Sequence, residues 1–224
     1  MRLVLDAPRS RGEHIAAFKG PDGVEAPALE LRGENGVLIA ERDPSSSDYH
    51  LRLSGTEKGI SQVYEVAEID RVDSAEGIAH TQSDNSVEVS LRGSSFFTFN
   101  YGKEYPKPFL NPILTPAGVN MLREPMPAYS EGEHPWQRGL TLMQGAINGV
   151  DCWNEKNEPG FGRTEQDEIS VTNGPLSLAI SSSNTWYEGD RPLMGDRRTF
   201  RLFDSHRASA VLDISLTLKA RFGT

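Results

Sequence analysis

The strongest structural signal in the sequence is an alternation of polar and apolar side chains close to its C-terminal end. Over residues 211–222 every second side chain is apolar, and most of the intervening side chains are polar. The apolar set is Leu212, Ile214, Leu216, Leu218, Ala220 and Phe222. Because successive side chains of a strand point to opposite faces, this pattern predicts a half-buried β-strand. The buried face of such a strand must be covered by another sheet or by a helix.

Shorter stretches also have strand character, and turn-forming residues separate them. The predicted strands cover residues 28–32, 37–41, 87–91, 96–101, 139–144, 176–180 and 199–202. Asn-Gly pairs at 35–36, 148–149 and 173–174 favour the positive backbone angles of tight hairpins. Residues 60–70 fit either a helix or a strand with Tyr64 and Val66 on its inner face. We therefore predict an all-β fold, an antiparallel β-sandwich or two stacked sandwiches.

Aromatic residues indicate how the chain is divided. They are sparse before Phe96 and dense from there to Trp153. We interpret residues 1–91 as a small N-terminal β-unit and residues 92–224 as the main β-sandwich that carries the chemistry. The final strand pattern ends two residues before Thr224, which is typical of a terminal strand buried in a sheet or of a truncated chain. We favour truncation and expect an incomplete sandwich.

Charge and composition exclude several classes of partner. The 224 residues include 23 Lys and Arg against 32 Asp and Glu, a net charge of −9. Nucleic-acid binders concentrate positive charge, so we expect no nucleic-acid partner and no anionic membrane partner. The mean hydropathy is −0.49, and no apolar run is long enough to span a bilayer. With one cysteine and no signal-peptide pattern, the sequence predicts a cytoplasmic protein.

Two neighbouring motifs contain side chains suited to binding polar ligands. In residues 105–112 (Tyr-Pro-Lys-Pro-Phe-Leu-Asn-Pro), three prolines restrict the backbone around Lys107 and Asn111. Residues 133–139 (Glu-His-Pro-Trp-Gln-Arg-Gly) place an imidazole, an indole, an amide and a guanidinium close together. Imidazole is a general acid or base near neutral pH, and guanidinium binds carboxylate or hydroxyl oxygens. The candidate residues of this second motif are His134, Trp136, Gln137 and Arg138.

A third motif, residues 148–155 (Asn-Gly-Val-Asp-Cys-Trp-Asn-Glu), adds two carboxylates, Asp151 and Glu155, and the indole of Trp153. Exposed carboxylates near turns are usually only solvated, but the three motifs together have the composition of a carbohydrate site. The five histidines are scattered and no phosphate-binding glycine loop is present, so we expect no metal and no cofactor. A separate basic run, Arg197-Arg198 with Arg201, is predicted to lie on the outer face of a strand.

The three motifs resemble a bacterial family of unknown function that carries the label methane oxygenase PmoA. The resemblance covers about residues 92–224 and rests on the order and spacing of residues 106–112, 133–139 and 148–153. It implies a fold similar to the galactose mutarotase-like β-supersandwich and a role in sugar metabolism. Methane oxidation is not expected, because the membrane monooxygenase of that name needs transmembrane helices.

The resemblance also implies roles for single residues. His134 and Arg138 match the family's motif histidine and arginine, which places both in a sugar pocket. Trp136 and Gln137 stand where many relatives have two histidines, and Asn111 stands where a histidine is common. These departures argue against a mechanism that needs paired histidines or a metal. The family normally continues past the last residue of this chain.

Three functions remain open from the sequence. The first is a sugar epimerase, lyase or hydrolase in which His134 moves a proton with Asp151 or Glu155 as its partner. In that enzyme Lys107 and Arg138 bind oxygens of a small-molecule sugar. The second is a non-catalytic carbohydrate-binding module that uses Trp136, Trp153 and Arg138. The third is a structural β-domain whose aromatic residues are core. Asn111 and Gln137 are further candidate ligand contacts in the first two.

Overall fold

The chain is an all-β protein. The structure, a computed structural model, describes residues 1–7, 14–44, 46–53, 60–70, 75, 77–204 and 210–222. Within these ranges it has 17 strands and no helix, which confirms the predicted fold class. None of the described residues belongs to a helix with the length and apolar character required to cross a bilayer. Residues 60–69 form a strand, so the strand interpretation of that ambiguous segment is correct.

The first sheet contains the six N-terminal strands, paired antiparallel in the order β1-β6-β3-β4-β5-β2. Their bounds are β1 (Arg2–Ala7), β2 (His14–Lys19), β3 (Ala28–Gly33), β4 (Gly36–Arg42), β5 (Asp48–Leu53) and β6 (Ile60–Ile69). Alternate residues of the central strands point into a core that includes Leu29, Leu31, Leu51 and Tyr64. The alternation of apolar and polar side chains along these strands therefore favours a sheet with one covered face.

The remaining strands form three further sheets. Five strands, in the order β11-β10-β9-β8-β7, are β7 (Ile78–Gln82), β8 (Ser86–Leu91), β9 (Ser94–Asn100), β10 (Phe109–Ile113) and β11 (Leu140–Thr141). A two-stranded sheet pairs β12 (Gln144–Ile147) with β13 (Val150–Cys152). The last sheet has the order β14-β15-β16-β17, with β14 (Arg163–Asn173), β15 (Ser177–Glu188), β16 (Arg191–Phe203) and β17 (Val211–Lys219).

Local sequence sets the hairpin between β12 and β13. Asn148 and Gly149 connect the two strands directly, with φ angles of 51° and 84°. Two consecutive positive φ angles are the signature of a type I′ turn, and Asn-Gly is the dipeptide that adopts it at least cost. The predicted turn is confirmed, and it places the third sequence motif on the second strand of this hairpin.

The chain forms two compact units. The first consists of residues 1–76, 172–178 and 201–213, and the second of residues 77–171, 179–200 and 214–224. The second unit has its own apolar cluster of Val150, Cys152, Trp186 and Leu193. All three sequence motifs fall within the second unit. The boundary near residue 92 stays a prediction.

The segment with the most regular alternation in the sequence forms strand β17, but the apolar face of this strand is not buried. Ile214 and Leu216 are each 45% exposed and Leu218 is 53% exposed. β17 is the last strand in the order of its sheet, and the described residues leave this apolar face accessible. The prediction of a half-buried strand is therefore right in backbone conformation and wrong in burial.

Candidate functional site

Three of the predicted site residues meet in a buried ion-pair network. The side chains of Lys107, Arg138 and Glu155 are each at most 2% exposed. Glu155 Oε1 lies 3.4 Å from Lys107 Nζ and accepts a hydrogen bond of 2.6 Å from Arg138 Nη1. The second oxygen of Glu155 lies 2.5 Å from the same Arg138 nitrogen. The carboxylate is thereby neutralised between two cations.

Backbone carbonyls accept three further hydrogen bonds from the two cations of this network. Lys107 Nζ donates to the carbonyl of Trp153 over 3.0 Å. Arg138 Nε donates to Met126 O over 2.8 Å, and Arg138 Nη2 donates to Pro127 O over 3.2 Å. Burial lowers the pKa of Lys107, and the adjoining Glu155 carboxylate opposes that shift. Because the polar atoms of the three side chains face each other and the backbone, the network acts first as a cross-link between the three motifs.

Asn111 is also buried and holds the loop between β10 and β11. Its Nδ2 donates to Arg123 O over 2.8 Å and to the carbonyl of Arg138, and its Oδ1 accepts from Asn120 Nδ2 over 3.0 Å. Gly139 lies against this segment, since a Cβ there would meet the carbonyl of Leu110. The amide of Asn111 is consequently used by the protein itself.

Asp151 closes the turn that follows β13. Its Oδ1 accepts from the backbone N–H groups of Trp153 and Asn154 over 2.8 and 3.0 Å, and its Oδ2 accepts from Asn154 Nδ2 over 2.7 Å. Burial opposes ionisation, but the hydrogen bonds from Asn154 and Trp153 outweigh it and lower the pKa of Asp151. The carboxylate is therefore an acceptor in an Asx-type turn.

His134 and Trp136 form a separate pair. Their rings are 5.6 Å apart in an edge-to-face arrangement, and the His134 side chain is 54% exposed. His134 has a φ of 51°, and its Nδ1 lies 3.8 Å from a carboxylate oxygen of Glu133. Gln137 and Trp153 are exposed. Within the described ranges no hydrogen bond or ion pair joins His134 to Asp151 or Glu155.

A small cleft adjoins the network and brings together residues that the sequence analysis did not connect. This tyrosine cleft has a volume of about 230 Å³. It is lined by Asp84, Asn85, Tyr101, Gly102, Lys103, Tyr105, Pro106, Tyr129, Arg163, Thr164, Glu165 and Gln166. Tyr105 also places its ring 5.4 Å from the guanidinium carbon of Arg138, so it connects the cleft to the network.

The tyrosines of this cleft come from two segments, the connection between β9 and β10 and the loop before β11, which explains why sequence reasoning did not group them. Tyr101 follows β9 and donates its hydroxyl to Ser83 O over 2.6 Å. Tyr105 belongs to the proline-rich motif, and Tyr129 lies in the loop before β11 with a φ of 55°. The only available signal was Tyr105 inside a motif already singled out.

A larger cleft lies on the four-stranded sheet. This basic cleft has a volume of about 570 Å³ and is lined by Asp167, Glu168, Ile169, Ser170, Ser181, Ser183, Arg197, Lys219 and Arg221. Of the three arginines predicted to lie on an outer face, only Arg197 is exposed. Arg198 is buried and bidentate to Asp196 over 2.8 and 2.9 Å, and buried Arg201 pairs with Asp43 over 3.0 Å. The prediction is wrong for those two, because each is buried and paired with a carboxylate.

Comparisons with known proteins place the chain at the level of a family. No curated protein matches it. Among the residues that the structure describes, no group of three or more His, Cys, Asp and Glu side chains is arranged to hold a metal. A family model described as a family of unknown function, DUF6807, matches residues 86–223, which include all three motifs and both clefts except Asp84 and Asn85. The chain therefore belongs to the DUF6807 family of unknown function.

Proposed function

We propose that this protein binds a small carbohydrate in the tyrosine cleft. The observation that carries the proposal is the convergence of Tyr101, Tyr105 and Tyr129 in a cleft whose other walls are polar. Flat aromatic faces pack against the C–H groups of a sugar ring, while amides and charged groups bind its hydroxyls. Asn85 and Gln166 are suitable polar partners.

The buried network supports this proposal by giving the cleft a rigid wall. Tyr105 is in edge-to-face contact with Phe109, 4.9 Å between ring centroids, and lies beside the guanidinium of Arg138. A wall whose rotamers are held by such packing costs little entropy when a ligand binds. Lys107, Arg138 and Glu155 are in this view positioning residues for the cleft.

Sugar binding is favoured over sugar hydrolysis, because both predicted catalytic carboxylates already make contacts within the protein. A glycosidase needs two carboxyl groups that flank the scissile bond. Glu155 is enclosed by Arg138 and Lys107, and Asp151 accepts three hydrogen bonds from its own turn. The resemblance to the family labelled PmoA and to galactose mutarotase-like proteins supports a sugar as the ligand class. Methane oxidation is not proposed, and a cytoplasmic setting stays a prediction.

A second candidate is proton transfer on a sugar by His134. The observation that favours it is the backbone of this residue, which has a left-handed φ of 51° and presents an exposed imidazole next to Trp136. Non-glycine residues in this region carry strain that is concentrated at functional sites. The epimerase-type proposal predicts that His134→Ala abolishes chemical conversion of a sugar and leaves its binding intact.

Saturation-transfer NMR with glucose, galactose, a disaccharide and glucuronate tests the binding proposal. Tyr129→Ala should lower the affinity for the sugar by about tenfold, because a stacking face is removed. Tyr129→Phe should retain most of the affinity, since it keeps the ring. Trp153→Ala is the matched control, because Trp153 is an exposed aromatic residue that does not line the cleft.

Absence of saturation transfer from all four sugars would overturn the proposal. Loss of binding in Trp153→Ala but not in Tyr129→Ala would move the site to the indoles predicted from the sequence. Exchange between anomers or epimers, followed in the same spectra and lost in His134→Ala, would establish the enzymatic candidate.

A further inference from the structure

Three cationic side chains line the basic cleft in a protein whose net charge is −9. Arg197 belongs to β16, Lys219 ends β17 and Arg221 follows it. Two carboxylates, Asp167 and Glu168, line the same cleft, so cations outnumber anions by three to two. Such a cluster of cationic side chains on a protein that is acidic overall needs a specific physical explanation.

None of the three cations forms a salt bridge within the described part of the chain. No ion pair joins Arg197, Lys219 or Arg221 to any carboxylate of the residues that the structure describes. Asp167 instead accepts a hydrogen bond of 2.7 Å from Thr185 Oγ1. The three other arginines of β16 behave differently, since Arg191, Arg198 and Arg201 each pair with a carboxylate. Among the described residues, the lining of the cleft therefore has an excess of one positive charge, and its three cations have no salt-bridge partner.

The backbone of β16 is adapted to this arrangement at Gly195. A Cβ at that position would lie 3.3 Å from Cδ and 3.5 Å from Nε of Arg221. Glycine inside a strand weakens the strand and is typical of places where another group approaches the backbone closely. Because Gly195 has no side chain, the aliphatic part of Arg221 can pack close to the surface of the sheet. This close approach of Arg221 to the sheet is a geometric observation that is independent of the charge count.

We propose that the basic cleft binds the phosphate group of a small phosphorylated polyhydroxy compound, such as a sugar phosphate. Guanidinium groups match phosphate oxygens with paired donors, and Lys219 supplies a further point charge. The hydroxyls of Ser181 and Ser183 line the same cleft and suit the hydroxyl groups of the ligand. The volume of about 570 Å³ exceeds what one phosphate fills and lies within the range of small-molecule sites.

Isothermal titration calorimetry of the full chain with glucose 6-phosphate, inorganic phosphate and glucose tests this site. Glucose 6-phosphate should bind more tightly than inorganic phosphate, and Arg197→Ala should leave any heat of glucose binding unchanged, because glucose has no phosphate group. Arg197→Ala and Arg221→Ala should each lower the affinity for glucose 6-phosphate by about tenfold or more, since each removes a charge-assisted hydrogen bond. Lys219→Gln provides a third variant on an exposed side chain.

Arg191→Ala is the matched control, because Arg191 is an exposed arginine of the same strand that pairs with Glu188 outside the cleft. Equal affinity of Arg197→Ala, Arg221→Ala and the unsubstituted protein for glucose 6-phosphate would overturn the proposal. So would the absence of heat with both phosphate probes, or tighter binding of inorganic phosphate. The proposal does not rest on the tyrosine cleft. Loss of glucose 6-phosphate binding in Tyr129→Ala, with Arg197→Ala unaffected, would refute this inference while supporting the first site.

Discussion

At the scale of single residues, the stability of the protein depends on its buried charged side chains. Glu155→Gln removes the anion that two buried cations share and leaves both uncompensated. We expect the free energy of unfolding, measured by urea denaturation, to fall by about 3–5 kcal/mol. Glu158→Gln is the control, since Glu158 pairs with Lys156 over 3.3 Å at an exposed position. The control should change stability by less than about 1 kcal/mol, and equal effects would contradict the argument.

The only cysteine offers a second test at this scale. Cys152 is fully buried, and burial raises the pKa of its thiol from 9.0 to about 11. Because the thiolate is the reactive form, we expect no reaction with a disulfide reagent at pH 8 in the native protein. One equivalent should react in urea. Folding favours the protonated thiol, so this stabilisation is complete below the unfolded pKa and is lost as the pH rises through about 11. Rapid labelling of the native protein would contradict the burial.

At the scale of elements, the four-stranded sheet contains both a buried and an exposed apolar strand face. Leu193 of β16 is 3% exposed and packs in the cluster with Trp186, whereas Leu218 of β17 is largely exposed. Leu193→Ala should lower the free energy of unfolding by about 2–5 kcal/mol, and Leu218→Ala by about 0.5 kcal/mol or less. Thermal and urea unfolding measure both. A comparable loss in Leu218→Ala would show that its side chain is buried in solution.

At the scale of the whole molecule, the first compact unit depends on distant segments of the chain. The buried carboxylate of Glu41 accepts from the backbone N–H groups of Leu176 and Ser177 over 2.8 and 3.0 Å. Ala75 N donates to Gly174 O over 2.7 Å. A fragment of residues 1–91 lacks these partners and would leave Glu41 without its donors. We expect it to show no cooperative thermal unfolding by circular dichroism, in contrast with the full chain.

This fragment also tests the boundary predicted near residue 92. A well-dispersed amide spectrum and a sigmoidal melt of residues 1–91 would establish that the N-terminal β-unit folds alone. A fragment extended to residue 178 is the informative comparison, because it restores the donors to Glu41.

Local features of this protein followed from the sequence because their causes lie within a few residues. Alternation predicts β17 since a strand repeats every two residues, and Asn148-Gly149 predicts the type I′ hairpin since both residues tolerate positive φ. Segment 60–69 stayed ambiguous because its apolar residues fit both periods, and the pairing of β6 with β1 and β3 resolved it.

Burial and side-chain partners required the tertiary structure, because they depend on groups far apart in the chain. Lys107 meets Glu155 across 48 positions, and Glu41 meets Ser177 across 136. Such contacts turn a candidate catalytic carboxylate into the centre of a buried ion-pair network, and no local pattern distinguishes the two outcomes. Whether the apolar face of β17 is covered likewise depends on what other elements supply. Periodicity specifies which faces a strand has, and only the packing of distant segments specifies which of those faces meets water.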